Sequence, residues 1–333
     1  MTTKPVTAPL VDVRDLKIGI ARGGGDPLVV VDRANFQLHA GEMLGLIGES
    51  GSGKTMVCRA LIGTLARRGA KVLDGAIRLG ALDLVAADEA IWRQVRGRRL
   101  GYVPQSALAG LNPVMTIGDQ LAEAIAQRPT PNRTNAAAVA RELLEIVAIH
   151  RPETVLQQYP GQLSGGMRQR IMIACAIAPG PDVIVADEPT TGLDVTVQAG
   201  IMQLLRDIRA RLGTAIILVS HDLALVDAYC DHVVVMHAGA CVESASVSRI
   251  ASPRHPYTAA LNRSRIELAV PGSDLITIAG APPAVGAWPP GCRFAERCEI
   301  VQSDCRRGDH PGLRGLNGHA TACLHPDLMV AAE

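Results

Sequence analysis

Residues 48–55, GESGSGKT, match the pattern G-x-x-x-x-G-K-[ST]. Holding a phosphate takes backbone N–H groups curled around its oxygens, and glycine permits the curl because no Cβ obstructs it. Gly48, Ser50, Gly51, Ser52 and Gly53 would form the cradle, Lys54 would reach the β- and γ-phosphates, and Thr55 would hold Mg²⁺ through its hydroxyl. The bland alternative is a chance Gly-rich turn. An apolar run before the motif and a helix-forming run after it argue against that. A second stretch, VIVADEP at 183–189, is an apolar strand ending in two carboxylates. Asp187 is placed to hold Mg²⁺, directly or through water. Glu188 sits where the strand ends, points elsewhere, and suits a base that orients and deprotonates an attacking water. Alone, the pair would read as a solvated loop; the phosphate loop gives it meaning. The third stretch, LSGGMRQR at 163–170, opens a helix with Ser164, Gly165 and Gly166, which presents N–H groups and a hydroxyl to an anion. A chain with its own phosphate loop needs a reason for a second such helix start.

Strands and helices must position these residues. Residues 11–40 read as short strands around a Gly-rich turn at Gly23, Gly24 and Gly25, and residues 43–47 as a buried strand. A helix is expected from Lys54 until it stops near Gly69. LGYVPQ reads as a strand, residues 111–179 as mostly helical, and 183–189 and 215–222 as strands flanking a helix. Two further strands, HVVVMHAG and ACVES, end the main domain near residue 250. A linker or wrapping segment follows over 251–290, Pro/Gly-rich after SPRHPYTAALNRS, then a Cys-rich extension over 291–333. The chain has 333 residues, 48% apolar but only 2% aromatic, so the core is built from Ala, Val, Leu and Ile. Lys+Arg 33 against Asp+Glu 32 argues against broad electrostatic binding to nucleic acid or anionic lipid. The N-terminal stretch lacks the long apolar run of a signal peptide, and no apolar run is long enough to span a bilayer. A cytosolic globular protein is the expectation.

The signature LSGGMRQR resembles that of the ATP-binding-cassette family. The resemblance implies that Ser164 and Gly166 contact the γ-phosphate of ATP held by a partner subunit, with two ATPs sandwiched head-to-tail. Met167 stands where many cassettes have Gln. Gln105, in YVPQ, is similar to the loop residue that senses Mg²⁺ and leads into the helical subdomain, about 106–179. TTGLD resembles the loop whose aspartate, Asp194, crosses to the other subunit. His221, in LVSHD, matches the histidine that contacts the γ-phosphate and couples it to the base. The fold implied is α/β: a P-loop ATPase core with a mixed sheet around the phosphate-loop helix, an antiparallel β subdomain and an α-helical subdomain. The family usually stacks an aromatic on adenine, but LKIGIARGGGD offers only Ile18 and Ile20. Base–aromatic stacking is worth roughly 1–3 kcal/mol, so affinity must come partly from elsewhere.

The segment SALAGLNPVMTIGDQLAEAI after Gln105, with PTTGLDVTVQ and SPRHPYTAAL, resembles the dipeptide/oligopeptide and nickel importer branch. GCRFAERC and CLHP resemble the extension of its D-type ATPase subunit. That implies ATP and Mg²⁺ as ligands, a second and non-identical cassette, two membrane permease subunits and an extracytoplasmic binding protein. It implies a peripheral position on the cytoplasmic face of the inner membrane and no nucleic-acid partner. A soluble cassette ATPase working on DNA or ribosomes would share the nucleotide motifs, and a redox- or metal-sensing regulator would explain the cysteines.

Cys292, Cys298, Cys305 and Cys323 are spaced C-x₅-C-x₆-C-x₁₇-C among Gly, Pro and charged residues. A cross-link would help a segment with so little apolar surface. A disulfide is disfavoured in the cytosol. Zinc prefers paired C-x₂₋₄-C ligands, and wider loops suit an iron–sulfur cluster. Some importers that this chain resembles carry a four-iron cluster here, so a [4Fe–4S] cluster is favoured, with Zn²⁺ and bystander thiols as alternatives. The other cysteines, Cys58, Cys175, Cys230 and Cys241, read as small packed side chains.

Overall fold

The computed structural model describes residues 8–128, 136–265, 277–316 and 318–332. Residues 1–7 of the N-terminal stretch and 266–276 of the expected linker lie outside them. In chain order, strands β1 (Val11–Ile20), β2 (Leu28–Leu38) and β3 (Met43–Ile47) lead to helix α1 (Lys54–Leu61). Then come β4 (Ala70–Leu79), β5 (Leu82–Asp83), α2 (Glu89–Val95) and β6 (Leu100–Val103). Five helices follow, α3 (Ala107–Gly110), α4 (Ile117–Ile125), α5 (Ala136–Ile146), α6 (Pro152–Leu156) and α7 (Gly165–Ile177). The next elements are β7 (Val183–Asp187), α8 (Val195–Leu212), β8 (Ala215–Ser220) and α9 (Leu223–Tyr229). The chain ends with β9 (His232–His237), β10 (Ala240–Ser246), α10 (Val247–Ile250), α11 (Pro256–Arg263), β11 (Arg314–Leu316) and β12 (His319–Thr321).

Two compact units form, one from 1–39, 44–86 and 220–333, the other from 40–43 and 87–219. In the first, β2-β1-β4-β5 make an antiparallel sheet, with Val13 opposite both Phe36 and Ile77. β3 and β9 pair in parallel, Leu46 beside Val234, and carry the continuous apolar runs that a doubly covered strand needs. Gly45 in β3 is required by close approach, because a Cβ there would collide with Val226 of α9. In the second unit, β6, β7 and β8 are parallel, Ala186 beside Leu218, and every residue of β7 is buried. Its helices bury Leu121, Leu143, Leu144 and Ile171, the aliphatic core that the composition required.

Two expectations change, and one strand is new. The helix from Lys54 ends at Leu61 and a separate 3₁₀ turn covers Leu65–Arg68, because Gly63 at φ 67° turns the chain in the left-handed region. β4, which no motif announced, follows. The stretch 251–290 is not all wrapping segment, since α11 buries Tyr257 and Thr258 completely.

The extension joins the first unit by strand pairing. β12 lies antiparallel to β10, Ala320 opposite Ser244, and β11 pairs with β12. Under this junction Glu243 is fully buried. Its carboxylate accepts from the Arg254 N–H at 2.6 Å, the His255 N–H at 3.1 Å and His319 Nε2 at 2.7 Å. Removing the carboxylate would leave those donors buried and unpaired. Glu243→Ala should cost about 3 kcal/mol or more. Thermal unfolding should show a midpoint roughly 5–10 °C lower; an unchanged midpoint would contradict this account of the junction.

Candidate functional site: a phosphate loop and a carboxylate strand end

The phosphate loop leaves β3 and enters α1 through Gly48, Gly51 and Gly53, whose φ angles are 152°, 81° and 102°. These are left-handed or glycine-type conformations that side chains resist. At Gly48 the need is also spatial, because a Cβ would strike the Met236 carbonyl of β9. Ser52 donates its N–H to the Glu49 carbonyl at 3.2 Å, and Gly239 donates its N–H to the Ser52 carbonyl at 3.0 Å. Lys54 is buried, and its ammonium donates to the Gly48 carbonyl at 2.6 Å and the Glu49 carbonyl at 3.0 Å. The loop carbonyls thus hold a positive charge at the N-terminus of α1, whose own dipole is positive at that end. Ser50 and Thr55 are exposed beside it.

Sequence reading passed over Glu49, the variable second residue of the loop. Its carboxylate meets the Arg297 guanidinium through two bonds of 2.8 and 2.9 Å. Its N–H donates to the Tyr257 hydroxyl at 2.8 Å. Burial pushes this carboxyl up, but His237 and Arg297 beside it outweigh burial and hold it at about 2. Only proximity in the fold reveals this group; no motif spacing links position 49 to 257 or 297. His221 belongs to the same unit, exposed after β8 and just ahead of Asp222, which caps α9.

The second unit places the other residues. β7 ends at Asp187, buried, with the Tyr102 hydroxyl donating to it at 3.4 Å. Glu188 follows at φ 47°, a left-handed turn that swings its side chain off the strand line. The Gln105 amide donates to Glu188 Oε2 at 3.0 Å, and the Thr191 hydroxyl donates to the same oxygen at 2.9 Å. The structure therefore brings Gln105 and Glu188 together, and adds Thr191, which sequence reading had quoted without a role. Ser164 caps α7 by accepting from the Met167 N–H at 3.3 Å. Gly165 and Gly166 form its first turn, and a Cβ at Gly166 would press on Val197 of α8 at 2.9 Å. Asp194 caps α8 by accepting from the Val197 N–H at 2.9 Å, and Val195 beside it is 80% exposed. Ile18 is fully buried in β1, and Ile20 is half-buried at its end.

In the extension, Cys292, Cys298, Cys305 and Cys323 line one small pocket with Phe294, Ile300 and His325. None is in a disulfide. Burial pushes the Cys292 and Cys323 thiols up to about 11. His325 bonds the Asp304 carboxylate at 2.9 and 3.0 Å, and Asp304, Cys305 and His325 bring three possible ligand atoms within 4.8 Å of one another. Among the described residues, no three of the cysteine sulfurs form such a close group. Of the other four, Cys58, Cys230 and Cys241 are buried and Cys175 is half-buried.

Residues 31–191 match the ABC transporter family model, and residues 242–305 match the model for the oligopeptide/dipeptide transporter C-terminal region. The chain is 40% identical to a probable peptide ABC transporter ATP-binding protein of Sinorhizobium fredii, over 99% of both chains. It is 38% identical to the oligopeptide transport ATP-binding protein AppD of Bacillus subtilis, over 95% of this chain and 96% of that one. The chain belongs to the ATP-binding subunits of the oligopeptide/dipeptide ABC transporter family. As an ABC ATPase it shares its fold with the ATP-binding cassette MJ0796: a chain of its post-hydrolysis dimer bound to ADP and phosphate matches with a TM-score of 0.63 at 23% identity. That likeness covers 71% of this chain and 98% of the other. Among the described residues, no helix of this ABC subunit is long and apolar enough to cross a membrane.

Because Gly48 has no room for a Cβ, Gly48→Ala should distort the cradle and weaken ATP binding by at least tenfold, about 1.4 kcal/mol. Calorimetric titration with ATP checks this, and wild-type affinity in the variant would refute the steric argument.

Proposed function

We propose that this subunit is the D-type ATPase of a binding-protein-dependent importer of di- or oligopeptides, paired with a second, non-identical cassette on the cytoplasmic face of the inner membrane. The observation that carries the reading is the near-full-length match, extension included, to relatives named as peptide and oligopeptide transport ATP-binding proteins. Two permease subunits form the path, and an extracytoplasmic binding protein delivers the peptide. Exposed Leu108 and Val114, in the segment after Gln105, suit contact with a permease.

In this reading Lys54 and the loop N–H groups bind the ATP phosphates, and Thr55, Asp187 and Gln105 are the oxygen donors for Mg²⁺, which neutralises phosphate charge when bound. The Gln105 and Thr191 bonds hold the Glu188 carboxylate at the end of β7, where it orients a water and takes its proton. His221 steadies the γ-phosphate, while Ser164, Gly165, Gly166 and Asp194 serve the partner cassette's ATP. Glu188→Gln removes the proton acceptor and keeps the amide shape. Phosphate release should fall by about 10²–10⁴-fold while ATP binding is retained; near-normal release would remove Glu188 from the base role.

We propose that the cysteine pocket holds a [4Fe–4S] cluster. Four thiols line one pocket, and their wide sequence spacing lacks the paired C-x₂₋₄-C ligands that zinc prefers. Cys292, Cys298, Cys305 and Cys323 would hold such a cluster, which would cross-link distant parts of the segment. Anaerobically purified protein should be brown and contain iron and acid-labile sulfide, and Cys298→Ser should lose both. Stoichiometric zinc without iron would replace the cluster by a zinc staple.

A further inference from the structure

A side chain of the extension reaches the phosphate loop. Arg297 precedes Cys298, and its side chain is 4% exposed. Two of its nitrogens bond both oxygens of Glu49, and its Nε donates to the Ala279 carbonyl at 2.8 Å. A planar guanidinium fork that meets a carboxylate in this way fixes direction as well as distance. Glu49 is the second residue of the phosphate loop, and its backbone is held on both sides. Its N–H goes to Tyr257, and its carbonyl accepts from Lys54 and Ser52. Tyr257 packs on His237 at 4.4 Å and on Phe294 at 5.4 Å, between ring centres. A second contact runs alongside. Arg293 stacks 3.6 Å over Trp288, pairs with Asp32, and donates to the Ala238 carbonyl at 2.7 Å, in the turn whose next residue, Gly239, bonds Ser52. Scarce aromatics are thus gathered where the extension faces the loop.

We propose that Arg297 is a positioning residue of the ATP site: through Glu49 it sets the phosphate-loop backbone and the carbonyl on which Lys54 rests, so the extension is a working part of nucleotide binding rather than an appended staple. The role follows from the loop contact and holds whatever fills the cysteine cavity; it rests only on the chain binding ATP. A staple would matter for stability alone. A positioning residue also changes how the loop receives phosphate.

A double-mutant cycle on the full-length chain separates the two. ATP dissociation constants with Mg²⁺ are measured by calorimetry for wild type, Arg297→Ala, Glu49→Ala and the double variant, beside thermal midpoints. Each single change should weaken ATP binding about tenfold, the value of one charge-assisted contact. The double variant should bind no more weakly than either single one, because the two act as a pair. Arg297→Lys, which keeps the charge but not the fork, should recover part of the affinity. Should Arg297→Ala not fold, Glu49→Gln breaks the same contact from the loop side and should show the same weakening. A lowered midpoint with unchanged ATP affinity would overturn the proposal in favour of a staple, and losses that multiply in the double variant would overturn it as a coupled pair. Lys54→Ala serves as the control for ATP binding itself.

Discussion

The phosphate loop must pass between α1 and the Met236 carbonyl with no side chain at Gly48. Much of the first unit follows from that constraint. β3 has to be straight, buried and parallel to β9 so that the loop emerges where the Met236 carbonyl stands. The turn after β9 has to present Ala238 and Gly239 at φ 45° and 82°, because the Gly239 N–H supports Ser52 and its carbonyl accepts from Asp32. The Lys54 ammonium closes the loop from inside by bonding its carbonyls. A buried ammonium is tolerable only with such partners, and those partners come from the loop that it serves.

The second unit solves a different problem. A strand ending in two carboxylates would ordinarily turn them toward opposite faces with no further control. Here Asp187 stays in the buried line of β7 while Glu188 takes a left-handed φ, a conformation worth of order 1–3 kcal/mol of strain in a non-glycine residue. The Gln105 and Thr191 bonds, with the Glu188 N–H donating to the Val219 carbonyl at 3.0 Å, hold that turn. The caps Ser164 and Asp194 do similar work at α7 and α8, aligning each helix start and satisfying N–H groups that would otherwise lack partners.

The extension is held by more than the side chains it buries itself. Strand pairing of β12 with β10, the buried Glu243 hub, and the contacts of Arg293 and Arg297 each tie it to the phosphate-loop unit. The cysteine cavity sits among these anchors, with Phe294 and His255 in its wall, so a change in the cavity and a change at Glu49 share neighbours.

Much of this was written in local sequence. The phosphate loop, the carboxylate strand, the signature helix and the loops at Gln105, Asp194 and His221 are contiguous motifs, because phosphate recognition needs adjacent backbone groups in one turn. The apolar runs of β3, β7, β8 and β9 were legible for the same reason, since a buried strand writes its burial residue by residue. What only the tertiary structure decided is whatever joins distant positions. β4 was hidden because its alternation of half-buried residues carries no strong period. α11 was hidden inside a Pro/Gly-rich surround. The Glu188 turn with Thr191, the Glu243 hub, and the meeting of Glu49 with Tyr257 and Arg297 depend on side chains more than two hundred residues apart in the last case. No local spacing encodes such pairs, because their geometry exists only once the strands have set which loops come within hydrogen-bond reach.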